Sequence, residues 1–155
     1  DYLMQKKDLI RDLMLSKTDD NNLPKYLGRS RYQIIQIVCS ILLLDIPQLD
    51  KQLMESKWID TISEIYFYYE RNSILHLLIQ NLVEGLSERN DTTLLCYYLQ
   101  ETDFLEKSGV ILKQKSKPLH ISNLKQKLST FYTNPEGKKI MDSSPHGKLF
   151  QKQLR

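Results

Sequence analysis

Apolar residues recur at helical intervals along nearly the whole chain. In residues 1–15, Leu3, Met4, Leu9, Ile10, Leu13 and Met14 fall on one side of a helix. The stretch TDDNNLPKYLGRSR breaks that period with Asp, Asn, Pro and Gly and reads as a loop. From Arg31 to Ile46 the chain is apolar nearly all round, through Ile34, Ile35, Ile37, Val38, Ile41, Leu42, Leu43 and Leu44, which predicts a helix buried on most sides. Its β-branched content also permits a strand, but its length favours the helix. Pro47 suits the first turn of a short helix carrying Leu49, Leu53 and Met54, because the N–H it lacks has no partner there. Trp58, Ile59, Ile62, Ile65, Tyr66 and Tyr69 then form an amphipathic stripe that predicts a helix over 57–70. Asn72 or Ser73 can cap a helix over 73–88 that presents Leu75, Leu78, Ile79, Leu82, Val83 and Leu86. SERND follows as a loop, Asp91 can cap a helix with Leu94, Leu95, Tyr98 and Leu99, and a shorter segment runs over 103–112.

Two internal matches organise these helices. IIQIVCSILLLDI aligns with ILHLLIQNLVEGL at an offset of 40, and LDKQLMESKWI aligns with LLCYYLQETDF at an offset of 45, the difference falling in SERND. A unit of one short and two longer helices at that spacing is the pattern of armadillo or HEAT repeats. The expectation is an all-α, armadillo/HEAT-like helical repeat solenoid, with a generic helical bundle as the plainer alternative.

Length and composition agree with one domain. The chain has 155 residues, 41% of them hydrophobic and 26% charged, with a net charge of +3, which excludes an intrinsically disordered chain. Leu occurs 26 times, Ile 14 times, Val three times and Ala never, so close helix approaches must fall on Ser, Gly, Cys or Thr. No run approaches the length of a membrane span. The sequence starts at Asp1 already in a helical pattern, as expected of a fragment of a longer chain. Cys39 and Cys96 lie in apolar runs and read as small buried hydrophobes in a reducing compartment. Charge is unevenly divided. Residues 113–155 hold ten Lys and Arg against Glu136 and Asp142, whereas residues 1–112 hold twelve basic against seventeen acidic groups. A basic third of this kind binds nucleic acid, an acidic membrane surface or an acidic protein, or is simply solvated, and the last is favoured.

Catalysis finds little footing. His76, His120 and His146 have no partner at metal-ligand or triad spacing, and no G-x-S-x-G, Gly-rich phosphate loop or H-E-x-x-H occurs. Asp19 and Asp20 sit in a breaker-rich loop and Glu84 and Glu88 share one helix face, as solvated carboxylates do. Nucleic-acid signatures such as RNP1 or GXXG are likewise missing from the sequence. In the aromatic run, Tyr66 and Tyr69 belong to the buried stripe, while Phe67 and Tyr68 point elsewhere and either pack on a neighbouring repeat or anchor a partner.

At EIYFYYERNSILH the residues resemble the signature of the SAPS family, regulatory subunits associated with phosphatases of the protein phosphatase six class. Members carry an aromatic-rich helix end, a tyrosine, an asparagine pair, then Phe-Leu-His. Phe67, Tyr69, Asn72, Leu75 and His76 match, with Ser73 in place of the second asparagine and Ile74 in place of the phenylalanine. LGRSRYQIIQIV resembles the family's Leu-Gly-x-x-Arg-Leu-x-x-Val segment through Leu27, Gly28, Arg31 and Ile35. LDKQLMESKWIDTI and LLCYYLQETDFLEK are similar to the stretches on either side of the signature helix, and KPLHISNLKQKLST and GKLFQKQLR are weaker likenesses. The resemblance covers residues 27–112 and implies an α-helical scaffold that holds a Ser/Thr phosphatase catalytic subunit without catalysis of its own.

The expectation is therefore a non-enzymatic regulatory or scaffolding subunit, with no cofactor or metal, in the cytoplasm or alternatively the nucleus. Phe67, Tyr68, Tyr69, Asn72 and His76 are the candidate partner-binding residues. For Asn72 and His76 a structural role comes first: a helix cap, and an imidazole that ties two helices together. The alternative is a helical-repeat subunit of a large assembly whose basic C-terminal part docks on RNA or an acidic protein surface.

Overall fold

The computed structural model describes residues 2–16 and 22–112, together with the helix Pro135–Ser143 and single helical positions between 123 and 148. His120, His146, Asp19, Asp20 and the basic runs KQKSKP and QKQLR lie outside the described residues. Among the described residues every regular element is a helix.

The first predicted helix is two: α1, Tyr2–Gln5, and α2, Lys7–Leu15. Only part of the expected stripe reaches the core. Met14 is buried and Met4 and Ile10 pack against the core, whereas Leu9 and Leu13 are exposed. α2 ends at Ser16, which takes the left-handed conformation and returns its N–H to the Asp12 carbonyl. The following loop is not simply polar. Leu23 and Leu27 are buried, and Gly28 turns into α3 at φ +73, a conformation other residues rarely adopt.

α3, Arg29–Leu42, stops four residues short of the expected end. Proline restricts the residue before it to extended backbone, and Ile46 is extended ahead of Pro47, so the helix must end first. Nor is α3 buried on most sides. Ile35, Val38, Cys39 and Leu42 face the core, while Ile37, Leu43 and Leu44 are exposed. α4, Pro47–Glu55, begins with its proline as predicted. α5, Trp58–Tyr68, follows a left-handed Lys57. Its whole stripe, from Trp58 through Tyr66 to Tyr69, is buried. α6, Ser73–Glu88, buries Leu75, Ile79, Leu82, Val83 and Leu86; Leu78 is only half-buried, packed against the edge of the core. α7, Thr93–Gln100, starts beside Asp91, whose carboxylate accepts the Thr93 N–H at 2.8 Å; the hydrogen bond with the Thr93 side chain, and then that backbone bond, hold the carboxyl below its usual range. α8 is Phe104–Leu112 and α9 is Pro135–Ser143.

The helices pair in a repeating way. α2 packs on α3 and α5 on α6; α2 also lies against α5, and α3 against α6. The Trp58 indole donates to the Lys7 carbonyl at 3.0 Å, so α2 and α5 start at the same end. α3 and α6 are likewise parallel. Arg31 meets Tyr69 near their N-termini, and Arg89 meets Leu42 and Asp45 near their C-termini. α3 and α6 carry the segments matched at the offset of 40, and their burial runs in phase: Ile35 with Leu75, Cys39 with Ile79 and Leu42 with Leu82 inside, Ile37 with Leu77 outside. α4 and α7, matched at the offset of 45, also touch.

In a chain without alanine, small residues occupy some of the tight and buried positions. A methyl group added at Gly85 would sit 2.5 Å from a Leu43 terminal carbon, and Ser56, Ser63 and Ser108 are buried. Cys39 is buried too, and loss of water pushes its thiol up to about 12. The Tyr66, Tyr98 and Phe104 rings join α5, α7 and α8, with centroids 5.2 Å apart for Tyr66–Phe104 and 4.5 Å for Tyr98–Phe104.

Candidate functional site

The signature residues form the corner between α5 and α6. α5 leaves its last carbonyls without helical partners, and α6 leaves its first N–H groups likewise. Both deficits are met locally. The Asn72 side chain accepts the Leu75 N–H at 3.0 Å, and the Asn72 carbonyl accepts the His76 N–H at 3.0 Å. The His76 ring, 2% exposed, is hydrogen-bonded to the backbone of Tyr66 and Tyr69 at the end of α5 and lies 4.9 Å from the Tyr66 ring. Burial lowers its pKa below the ordinary 6.5; the backbone hydrogen bonds pull the other way without winning.

The two tyrosines latch the loop before α3. The Tyr68 hydroxyl donates to the Leu23 carbonyl at 2.7 Å and the Tyr69 hydroxyl to the Pro24 carbonyl at 2.8 Å. The Arg31 guanidinium donates to the Leu27 carbonyl at 2.8 Å, the Tyr69 hydroxyl at 3.1 Å and the Tyr26 and Ser16 carbonyls at 3.3 Å. Burial raises the Tyr69 pKa, and Arg31 opposes that rise. A neutral hydroxyl is the form the latch requires.

The corner thus sorts the candidates. His76 and Tyr69 are interior and serve as supports. Tyr68, about half exposed, and Asn72 line an open groove with Lys25, Tyr26, Arg71 and Ile74. That groove encloses about 670 Å3. Phe67 faces away from it, into a second groove with Glu70, Asp103, Glu106 and Val110, where the Lys107 ammonium sits 5.8 Å from the Phe67 ring centre.

Sequence reading missed the buried charges. Arg89, inside the segment taken as a plain polar loop, is buried; it donates to Asp50 at 2.7 Å and Asp45 at 3.2 Å, and also meets the Leu42 carbonyl. Asp50 is buried as well. The available signal was Asp50 between Leu49 and Leu53 on a short helix, a charge on the apolar side. Lys57, Asp60 and Tyr97 form a further cluster at the surface, the Tyr97 hydroxyl donating to Asp60 at 3.0 Å and accepting from Lys57 at 3.2 Å. Among the described residues no group of three or more His, Cys, Asp and Glu is placed to hold a metal ion, and no helix is long and apolar enough to cross a membrane.

Comparison with family models, with curated proteins and with solved structures finds no match to this chain.

Proposed function

We propose that this chain is part of a non-catalytic regulatory or scaffolding subunit that holds a Ser/Thr phosphatase catalytic subunit, built as an armadillo/HEAT-like solenoid and working in the cytoplasm or nucleus. The observation that carries the reading is the α5–α6 corner. The residues of EIYFYYERNSILH that resemble the SAPS signature meet there in one rigid junction that leaves Tyr68 and Asn72 on an open groove. The repeated pairing of α2 with α3 and of α5 with α6, the second pair laid against the first, supports the solenoid. In this reading Tyr68, Asn72 and Phe67 touch the partner, and Tyr69 and His76 position them.

Affinity capture on the full-length parent, read by mass spectrometry, tests it. A Ser/Thr phosphatase catalytic subunit is expected among the retained proteins, and retention is expected to fall at least tenfold for Tyr68→Ala, but not for Tyr68→Phe, which removes the hydroxyl that holds the Leu23 carbonyl and keeps the ring. Recovery of no catalytic subunit overturns the proposal. If Asn72→Ala and His76→Ala melt like the parent yet lose the phosphatase, both belong to the interface rather than to its support. The alternative, a basic C-terminal part docked on RNA or an acidic surface, predicts binding that falls by orders of magnitude between low and moderate salt, which an apolar interface does not do.

A further inference from the structure

The α3–α6 pair has a second surface that the corner does not use. The two helices are parallel and buried in the same phase, so their outer positions face one side of the molecule. On that side stand Ile37, 60% exposed, Leu77, 57% exposed, and Leu44, 47% exposed. From Tyr32 to Leu44 and from Ser73 to Val83 neither helix carries a single charged residue. Scattered exposed apolar residues are ordinary on a protein surface; two adjacent helix faces emptied of charge are not, and loss of charge marks the centre of protein interfaces.

The ends of this face are charged with opposite sign. Lys25, Arg29 and Arg71 are exposed at the N-terminal end of the two helices, against Glu70; Glu84 and Glu88 are exposed at the C-terminal end, beside Asp45, whose charge Arg89 offsets. The helix dipoles run the same way, positive where the cations stand and negative where the carboxylates stand. Turning a copy of this face by a half-turn about an axis perpendicular to the helices lays apolar centre on apolar centre, and brings each basic end against the other copy's acidic end. The face is complementary to itself, as a two-fold contact requires.

We propose that the outer face of α3 and α6 is a self-association surface on which a second copy of this chain docks across a two-fold axis. The proposal does not depend on phosphatase binding: its apolar centre, Ile37, Leu77 and Leu44, is separate from the corner groove, and only Lys25 and Arg71 at its basic end border both. Two parallel helices about 9 Å apart and about 20 Å long offer roughly 400 Å2 from each copy. That is below the usual size of stable interfaces, so the dimer is weak and reversible, forming at roughly 10–100 µM and above.

Sedimentation equilibrium of the 155-residue chain, across loadings from about 10 µM to about 1 mM in low salt, tests it. The mean mass is expected to climb from 18.3 kDa toward twice that value and stop there. Ile37→Glu, at an exposed position where the monomer fold is kept, is expected to hold the chain monomeric throughout, with unchanged circular dichroism. Arg71→Glu and Glu88→Arg are each expected to weaken association about tenfold, and both changes in one chain to restore it, because the swapped ends again face opposite charge. A mass fixed at the monomer value overturns the proposal. Association that Ile37→Glu leaves intact overturns the choice of face, and growth beyond a dimer overturns the two-fold arrangement.

Discussion

The two ends of α6 are held by different chemistry. At its start the bonds are short and mostly between neutral groups: a cap from Asn72, a ring from His76, two tyrosine hydroxyls on loop carbonyls, and an Arg31 guanidinium spread over carbonyls and the Tyr69 hydroxyl rather than paired with a carboxylate. At its end a single guanidinium, Arg89, is taken out of water and shared between Asp50, Asp45 and the Leu42 carbonyl. The first arrangement divides its stabilisation among partners that can each be lost singly. The second concentrates it, because removing either buried charge strands the other in a medium that solvates it poorly.

The sharpest way to break this comparison is Arg89→Ala, which leaves the Asp50 carboxylate buried without its partner and is expected to cost about 3–5 kcal/mol. Urea unfolding followed by circular dichroism measures it, and a cost under about 1 kcal/mol would mean that water reaches Asp50 after all. Replacing both charges with apolar residues, Arg89→Met with Asp50→Leu, is expected to recover most of the loss. In the middle of α6, away from both ends, Leu82→Ala is expected to cost about 2–5 kcal/mol by leaving a cavity, as is Ile65→Ala on α5. A melting temperature that does not move in either variant would mean the wrong faces have been assigned to the core. At the start of the helix Asn72→Ala is expected to cost only about 1 kcal/mol, with Asn72→Ser recovering part of it.

The smallest effect is a pH dependence confined to the α5–α6 corner. The folded pKa of His76 lies below its ordinary 6.5, so at intermediate pH the unfolded chain binds a proton that the folded chain refuses. The contribution of the neutral ring is therefore complete above about pH 6.5 and is lost progressively as pH falls through the lower folded value. Urea midpoints measured from about pH 7.5 down to about pH 5 should fall, and His76→Gln should flatten that fall. An unchanged slope in the variant would place the titrating group elsewhere.

Much of the fold was legible because helical period and burial are the same information. The stripe from Trp58 to Tyr69 could be read at once, since each of its residues meets the core. So could the matched phases of α3 and α6, which the offset of 40 already aligned. The limits of α3 were less legible: Pro47 was correctly placed as a helix start, but its restriction on Ile46 ends the preceding helix early. Ile37 and Leu44 look like core residues in sequence, because hydropathy does not say which side of a helix lacks a neighbour. Asn72 was legible as a cap, since the reach from its side chain to the N–H three residues on is fixed by local geometry. The pairing of Arg89 with Asp50 spans 39 residues and follows no period, so only the packed fold reveals it.

Cys39 gives the molecule a built-in clock. Its thiol is 2% exposed and holds its proton up to about pH 12, so a thiolate-seeking reagent at neutral pH finds nothing to attack while the fold stays shut. Cys96, half-buried on the α7 helix, lacks that degree of shelter and is expected to react first. The lag between the two modifications therefore times the excursions in which α3 comes away from its neighbours. One unaltered chain and one reagent would then report how often the core opens, and how each variant shortens the wait.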